Sequence, residues 1–220
     1  MGNQDATKFL LAAGRETLTP LGVTPSGRGR NWVDDHGWWI VNVEFQPSGW
    51  SKGSYLNVGV QWLWKPYPGH SFEYGARVPI LTDGKPVQFV NFETESQFAN
   101  AARDLVASAA REVLKHREQF RTLGASIKAL SKQESLYRYH LAVAHGLVGK
   151  DHEARHFFDA GQVKTRPRDW EVEQNALMDE LSSLARDTRA FRARILEIVD
   201  QQRRDLKLNP DRVVVLPGTL

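Results

Sequence analysis

Trp38-Trp39-Ile40-Val41-Asn42-Val43-Glu44-Phe45-Gln46 and, across residues 47–53, Ser54-Tyr55-Leu56-Asn57-Val58-Gly59-Val60-Gln61-Trp62-Leu63-Trp64 decide the class of fold. In an extended chain successive side chains point to opposite faces. The first run therefore sets Trp39, Val41, Val43 and Phe45 on one face and Trp38, Ile40, Asn42, Glu44 and Gln46 on the other. The second sets Leu56, Val58, Val60, Trp62 and Trp64 against Tyr55, Asn57, Gly59 and Gln61. The interval Pro47-Ser48-Gly49-Trp50-Ser51-Lys52-Gly53 is built of turn formers, so the two runs read as an antiparallel pair joined by a long loop. Residues 72–78 extend the pattern, with Phe72, Tyr74, Ala76 and Val78 inward, and 31–34 and 87–92 carry shorter strand signals. An antiparallel sheet with one covered face follows.

Outward from this centre the period changes. Before it, residues 5–18 place Phe9, Leu10, Ala13 and Thr17 on one side of a helix, which Pro20, Gly22, Pro25, Gly27 and Gly29 end. After it, Thr94-Glu95-Ser96-Gln97 has the form of a capping box. Phe98, Ala101, Ala102, Leu105, Ala109 and Val113 then form a helical stripe. Shorter helices are expected over 126–132, 135–148 and 151–160, and a long one over 169–206 beyond Pro167. In that last segment Leu177, Leu181, Leu184, Thr188, Phe191, Ile195 and Ile198 recur in steps of four and three. The 177–198 seam predicts either packing within the chain or a homodimer. The expected fold is α+β: an N-terminal helix and antiparallel sheet over 1–93, a helical region with a long final helix over 94–208, and a tail over 209–220.

Composition limits the function. Six of the seven tryptophans fall between Trp32 and Trp64, and the chain has no cysteine. Disulfides, thiolate metal sites and cysteine nucleophiles are thereby excluded, in keeping with a cytoplasmic location. Nothing approaches the roughly 18 apolar residues of a membrane helix, so a soluble protein is expected. Through Glu95 there are 8 basic and 9 acidic residues, and after it 21 and 17. Neither part carries the concentrated positive field that nucleic-acid binding requires. The arginines of the last helical segment (Arg186, Arg189, Arg192, Arg194, Arg203 and Arg204) are interrupted by Asp187, Glu197, Asp200 and Asp205, the pattern of a solvated face.

Leu21, Gly22, Gln46, Ser48, Trp50, Asn57, Gly59 and Val60 together resemble an uncharacterised bacterial family with the pattern LGF…F/W…Q-x-S-x-W…N-L-G-V. Val23 departs from its usual aromatic, and the resemblance spans the first two fifths of the chain. It implies an α+β fold and brings no activity, cofactor or catalytic residue. Residues 136–161 resemble a single tetratricopeptide-type helical hairpin, with Ala142 and Ala154 allowing close contact and Phe158 filling the interface.

Two sets of residues could carry function. Asn42, Glu44, Gln46, Asn57 and Gln61 share the strand face opposite the aliphatic one, with Trp50 on the loop. Amides beside an aromatic form a ligand platform, or they tie the loop to the sheet. His152-Glu153-Ala154-Arg155-His156 matches H-E-x-x-H, in which His152 and His156 would hold zinc and Glu153 would act as general base of a hydrolase. The motif lies in a first helical turn after Gly149-Lys150-Asp151 and lacks a recognisable third ligand. The preferred expectation is a binding or protein-interaction module whose partner is another protein or a small ligand, without a cofactor. A zinc-dependent hydrolase and a nucleic-acid-associated protein are the alternatives.

Overall fold

The computed structural model describes residues 2–27, 29–82 and 85–218, with the backbone alone for 2–5 and Thr82. The chain begins with α1 (Gly2–Thr17) and a short 3-10 turn. Nine strands follow among the described residues: β1 (Thr24–Ser26), β2 (Asn31–Asp35), β3 (Trp39–Glu44), β4 (Gly53–Tyr55), β5 (Asn57–Trp62), β6 (Tyr74–Arg77), β7 (Ile80–Thr82), β8 (Lys85–Val87) and β9 (Phe89–Asn91). The remainder is helical: α2 (Glu95–Gln119), α3 (Leu123–Leu130), α4 (Glu134–Leu147), α5 (Asp151–Gly161), α6 (Asp169–Leu184) and α7 (Thr188–Asp205). This is the α+β class expected, with an N-terminal helix, an antiparallel sheet and an 18-residue final helix. Among the described residues no helix is long and apolar enough to cross a membrane.

The chain divides into two compact units, Met1–Gln61 with Gly69–Glu118, and Trp62–Pro68 with Gln119–Leu220. Secondary structure changes at Thr94, but α2 belongs to the sheet-bearing unit. There the strand order is β1-β2-β3-β5-β6, and β2 pairs with β3 from Asn31↔Glu44 to Asp35↔Ile40. The run 54–64 does not stay in one sheet. It breaks at Leu56, where β4 pairs with β9 as a separate ladder and β5 joins the five-stranded sheet.

Strand β3 is buried on both faces rather than one: Val41 and Val43 on one, Ile40 and Asn42 on the other. The cause is segment 69–73, whose backbone is bound to polar side chains on the second face. Residues expected to face inward on β6 lie at the sheet edge, and Ala76 is exposed. Helix α1 meets the sheet through Gly14, where an added Cβ would stand 2.3 Å from the Trp32 ring, so no larger residue fits there. Helix α2 buries Phe98, Ala102, Leu105, Ala109 and Val113 as its stripe requires, and Phe98 contacts Phe9 and Phe92. Its expected capping box is half formed. Thr94 Oγ1 accepts from Gln97 N–H at 3.2 Å, whereas the Gln97 amide oxygen takes the N–H of Glu93.

In the helical unit α4 and α5 form an antiparallel hairpin over Gly149, whose φ of 74° suits glycine in the tight turn. Ala142, Ala154 and Phe158 are buried in it. Trp62, the last residue of β5, and Trp64, beyond the strand, are buried and belong to this unit. Trp62 packs edge-on to Phe120, and the Trp64 indole donates to His140 Nδ1 at 3.0 Å. The segment 169–206 is two helices. Asp187 accepts from the N–H groups of Arg189 and Ala190 as the N-cap of α7, and the chain reverses. Arg194 of α7 then pairs with Glu180 of α6 at 2.6 Å. Leu181, Phe191, Ile195 and Ile198 are buried within the chain, so the 177–198 seam is not a continuous helical stripe. Among the described residues, the tail to residue 218 forms no strand. Leu216 is buried, and Arg192 donates to the carbonyls of Leu216 and Pro217.

Candidate functional site

The polar strand face comes together as the alternation requires, in two clusters. In the first, Asn42 Nδ2 donates to Gln61 Oε1 (3.0 Å) and to the carbonyl of Ser71 (2.7 Å). Gln61 Nε2 donates to the Gly69 carbonyl, and Gln61 Oε1 accepts from Ser71 N–H. His70 Nδ1 lies 2.8 Å from Asn42 Oδ1, so the imidazole carries its proton on Nδ1. Asn42 and Gln61 are 3% and 0% exposed. Their capacity is committed to segment 69–73, and burial lowers the His70 pKa from its ordinary value. In the second cluster Asn57 Nδ2 donates to Glu44 and Gln46. Arg77 donates to Asn57 and Gln46 while its guanidinium lies 3.8 Å from the Tyr55 ring centroid. These amides tie strands and loops together. Trp50, at 99% exposed, stands apart from them on a loop whose Ser48 Oγ accepts from the N–H groups of Trp50 and Ser51.

A charged cluster that sequence patterning did not single out lies at the β2–β3 turn. Asp34, 3% exposed, accepts from both Arg117 Nε (2.8 Å) and Nη2 (2.7 Å) and from His36 Nε2 (2.6 Å). The His36 ring stacks on Trp39 with centroids 4.1 Å apart. Burial alone would raise the Asp34 carboxyl, but the hydrogen bonds from His36 and Arg117 outweigh it and hold its pKa below the ordinary value. The same bond raises the Arg117 pKa, and a further bond to the Leu21 carbonyl completes its anchoring. The arrangement pins the turn to the end of α2.

The H-E-x-x-H residues occupy the first turns of α5. His152, Glu153 and His156 are all exposed, while the buried side of the helix is Ala154 and Phe158. No group of three or more histidine, aspartate or glutamate side chains suited to a metal ion occurs among the described residues. The donor set thus offers two exposed imidazoles and no third ligand. The arginines of α7 are largely engaged as well. Arg192 holds the tail and the Leu147 carbonyl, Arg194 is paired with Glu180 and Glu197, and Arg203 is 6% exposed.

A concave surface lies wholly within the helical unit. Helix geometry places Trp170, Glu173, Gln174 and Leu177 (i, i+3, i+4, i+7) along one face of α6. With Gln202 and Asp205 at the end of α7, that face walls a groove of about 900 Å³. Segment Lys65-Pro66-Tyr67-Pro68 and Tyr139 supply the rest of the lining. Two prolines fix the φ angles around Tyr67. The buried Gln202 amide clamps the Tyr67 backbone, accepting from its N–H at 2.9 Å and donating to its carbonyl at 2.7 Å. Tyr139 Oη donates to the Trp64 carbonyl, so its ring is fixed too. Trp170 and Tyr67 remain 55% and 47% exposed. Sequence reasoning missed this site because its parts lie far apart along the chain. The available signals were the seventh tryptophan, isolated from the other six, and the Pro-Tyr-Pro step.

No family model, curated protein or solved structure matches the chain.

Proposed function

We propose that this chain is a protein-interaction module, working in the cytoplasm, that captures an extended peptide segment of a partner in the groove of its helical unit. The observation that carries this is the pairing of Tyr67 and Trp170 at one concavity: two large aromatic side chains half exposed on a backbone that is otherwise tightly fixed. Amphipathic aromatics of this kind dominate binding energy, because they bring much contact area at little cost in conformational freedom. A volume of about 900 Å³ is at the upper end for a small-molecule pocket and suits several residues of extended chain. Gln174 supplies an amide able to bond a peptide backbone, and Pro66 and Pro68 present rigid apolar surface. The cysteine-free composition supports the assignment to a reducing compartment. The chain would then belong with the uncharacterised bacterial family that its first two fifths resemble.

The test is selection from a phage-displayed random octapeptide library against the full chain, repeated with Trp170→Ala. Enrichment of a sequence class by the wild type and its loss with Trp170→Ala supports the module. Enrichment unaffected by the substitution removes the groove from the account.

A further inference from the structure

We infer that the peptide taken by this groove carries an arginine, read by Glu173 and Asp205 together with the faces of Trp170 and Tyr67; this rests on the groove being the binding site. Several acidic side chains elsewhere in the helical unit are paired with cations of the same unit. Glu180 and Glu197 pair with Arg194, Asp159 with Lys164, and Asp151 with Arg155. Two carboxylates, Glu173 and Asp205, line the groove. Among the described residues Glu173 has no hydrogen-bonding or ionic partner, and Asp205 accepts only the neutral Gln201 amide at 2.8 Å. Both belong to the helical wall, whereas the groove's one lining cation, Lys65, belongs to the 65–68 segment. The lining carries one more negative than positive charge, and the Arg168 guanidinium stands 6.0 Å from the Trp170 ring centroid at its margin.

An exposed carboxylate on a surface is by itself an ordinary solvated group. What distinguishes these two is their place beside aromatic faces in a concavity. A cation over Trp or Tyr is attracted by the ring quadrupole, and the attraction grows as water is displaced. Guanidinium suits this site better than ammonium, because it stacks flat on an aromatic ring while its edge donates in parallel to a carboxylate. The chain already shows the same stacking chemistry internally, with the Arg77 guanidinium 3.8 Å from the centre of the Tyr55 ring.

The experiment takes the octapeptides enriched by the wild-type chain and measures their binding by fluorescence anisotropy. Arginine enrichment, about tenfold weaker binding when the arginine is replaced by neutral citrulline, and a similar loss with Glu173→Gln plus Asp205→Asn support the inference. Circular dichroism and thermal unfolding of the double variant verify that it is folded. Both positions are at the surface, so its melting curve should match the wild type. Enriched peptides that need Trp170 but show no cationic bias overturn the arginine reading and leave the groove standing. Peptides indifferent to Trp170→Ala, or no enrichment at all, overturn both.

Discussion

At the scale of the residue, Asp34 shows how a local turn is held by charge. Its carboxylate is almost fully buried and takes three hydrogen bonds from two cationic or titratable partners. Asp34→Ala leaves Arg117 beside a buried surface with no anion, and about 2–3 kcal/mol of stability should be lost in urea unfolding; Arg117 is partly exposed, which keeps the cost below that of a fully buried pair. His116 makes the complementary point. Burial, with repulsion from Lys115 added and attraction to Glu112 opposing, pushes its imidazole down to about 4. In the unfolded chain it titrates near 6.5, so between pH 6.5 and 4 the unfolded state binds the proton and the folded state does not. Stability is therefore full above pH 6.5 and falls as pH drops towards 4, by about 3 kcal/mol from this group. Urea unfolding of wild type and His116→Gln across this range should show a shallower acid loss in the variant. Burial of His70 and His145 acts in the same direction.

Between elements, close approach decides what substitutions are tolerated. Helices α4 and α7 touch at Gly146, where an added Cβ would lie 2.5 Å from the Phe191 ring. Gly146→Ala should cost about 1–3 kcal/mol despite alanine's higher helix propensity, read as a lower melting temperature. Removal of the α7 cap by Asp187→Ala should cost about 1 kcal/mol. Elements were legible in the sequence where one period ran undisturbed. The alternation at 39–44 and the stripe from Phe98 to Val113 each became one element. Where the period continued across a reversal of the chain it misled. Ala185-Arg186-Asp187 is compatible with helix, yet the chain breaks there with Asp187 as the cap of α7 and Arg194 packed back against Glu180. Likewise Trp62 and Trp64 continue the strand pattern, yet their rings serve the helical core through Phe120 and His140. Periodicity fixes which faces are apolar and is silent on which core they enter.

For the whole molecule, the same limit explains the candidate site. The polar strand face was visible in sequence because alternation gathers Asn42, Glu44, Gln46, Asn57 and Gln61 on one side. One of the two readings open had them tie the 47–53 loop to the sheet; their hydrogen bonds run instead to Gly69, Ser71 and Arg77. The groove was not visible, since residues 65–68, 139, 170–177 and 202–205 meet only through tertiary structure. Two tryptophans are open to solvent, Trp50 in the sheet-bearing unit and Trp170 in the helical one, and each marks a different account of where a partner binds. The direct measurement is a ¹⁵N correlation spectrum of the full chain titrated with a selected octapeptide, with the indole N–H signals assigned through Trp50→Phe and Trp170→Phe. The groove predicts that the Trp170 indole signal moves in step with peptide while the Trp50 signal stays fixed. Movement of Trp50 with Trp170 unchanged would contradict it and place the contact on the 47–53 loop.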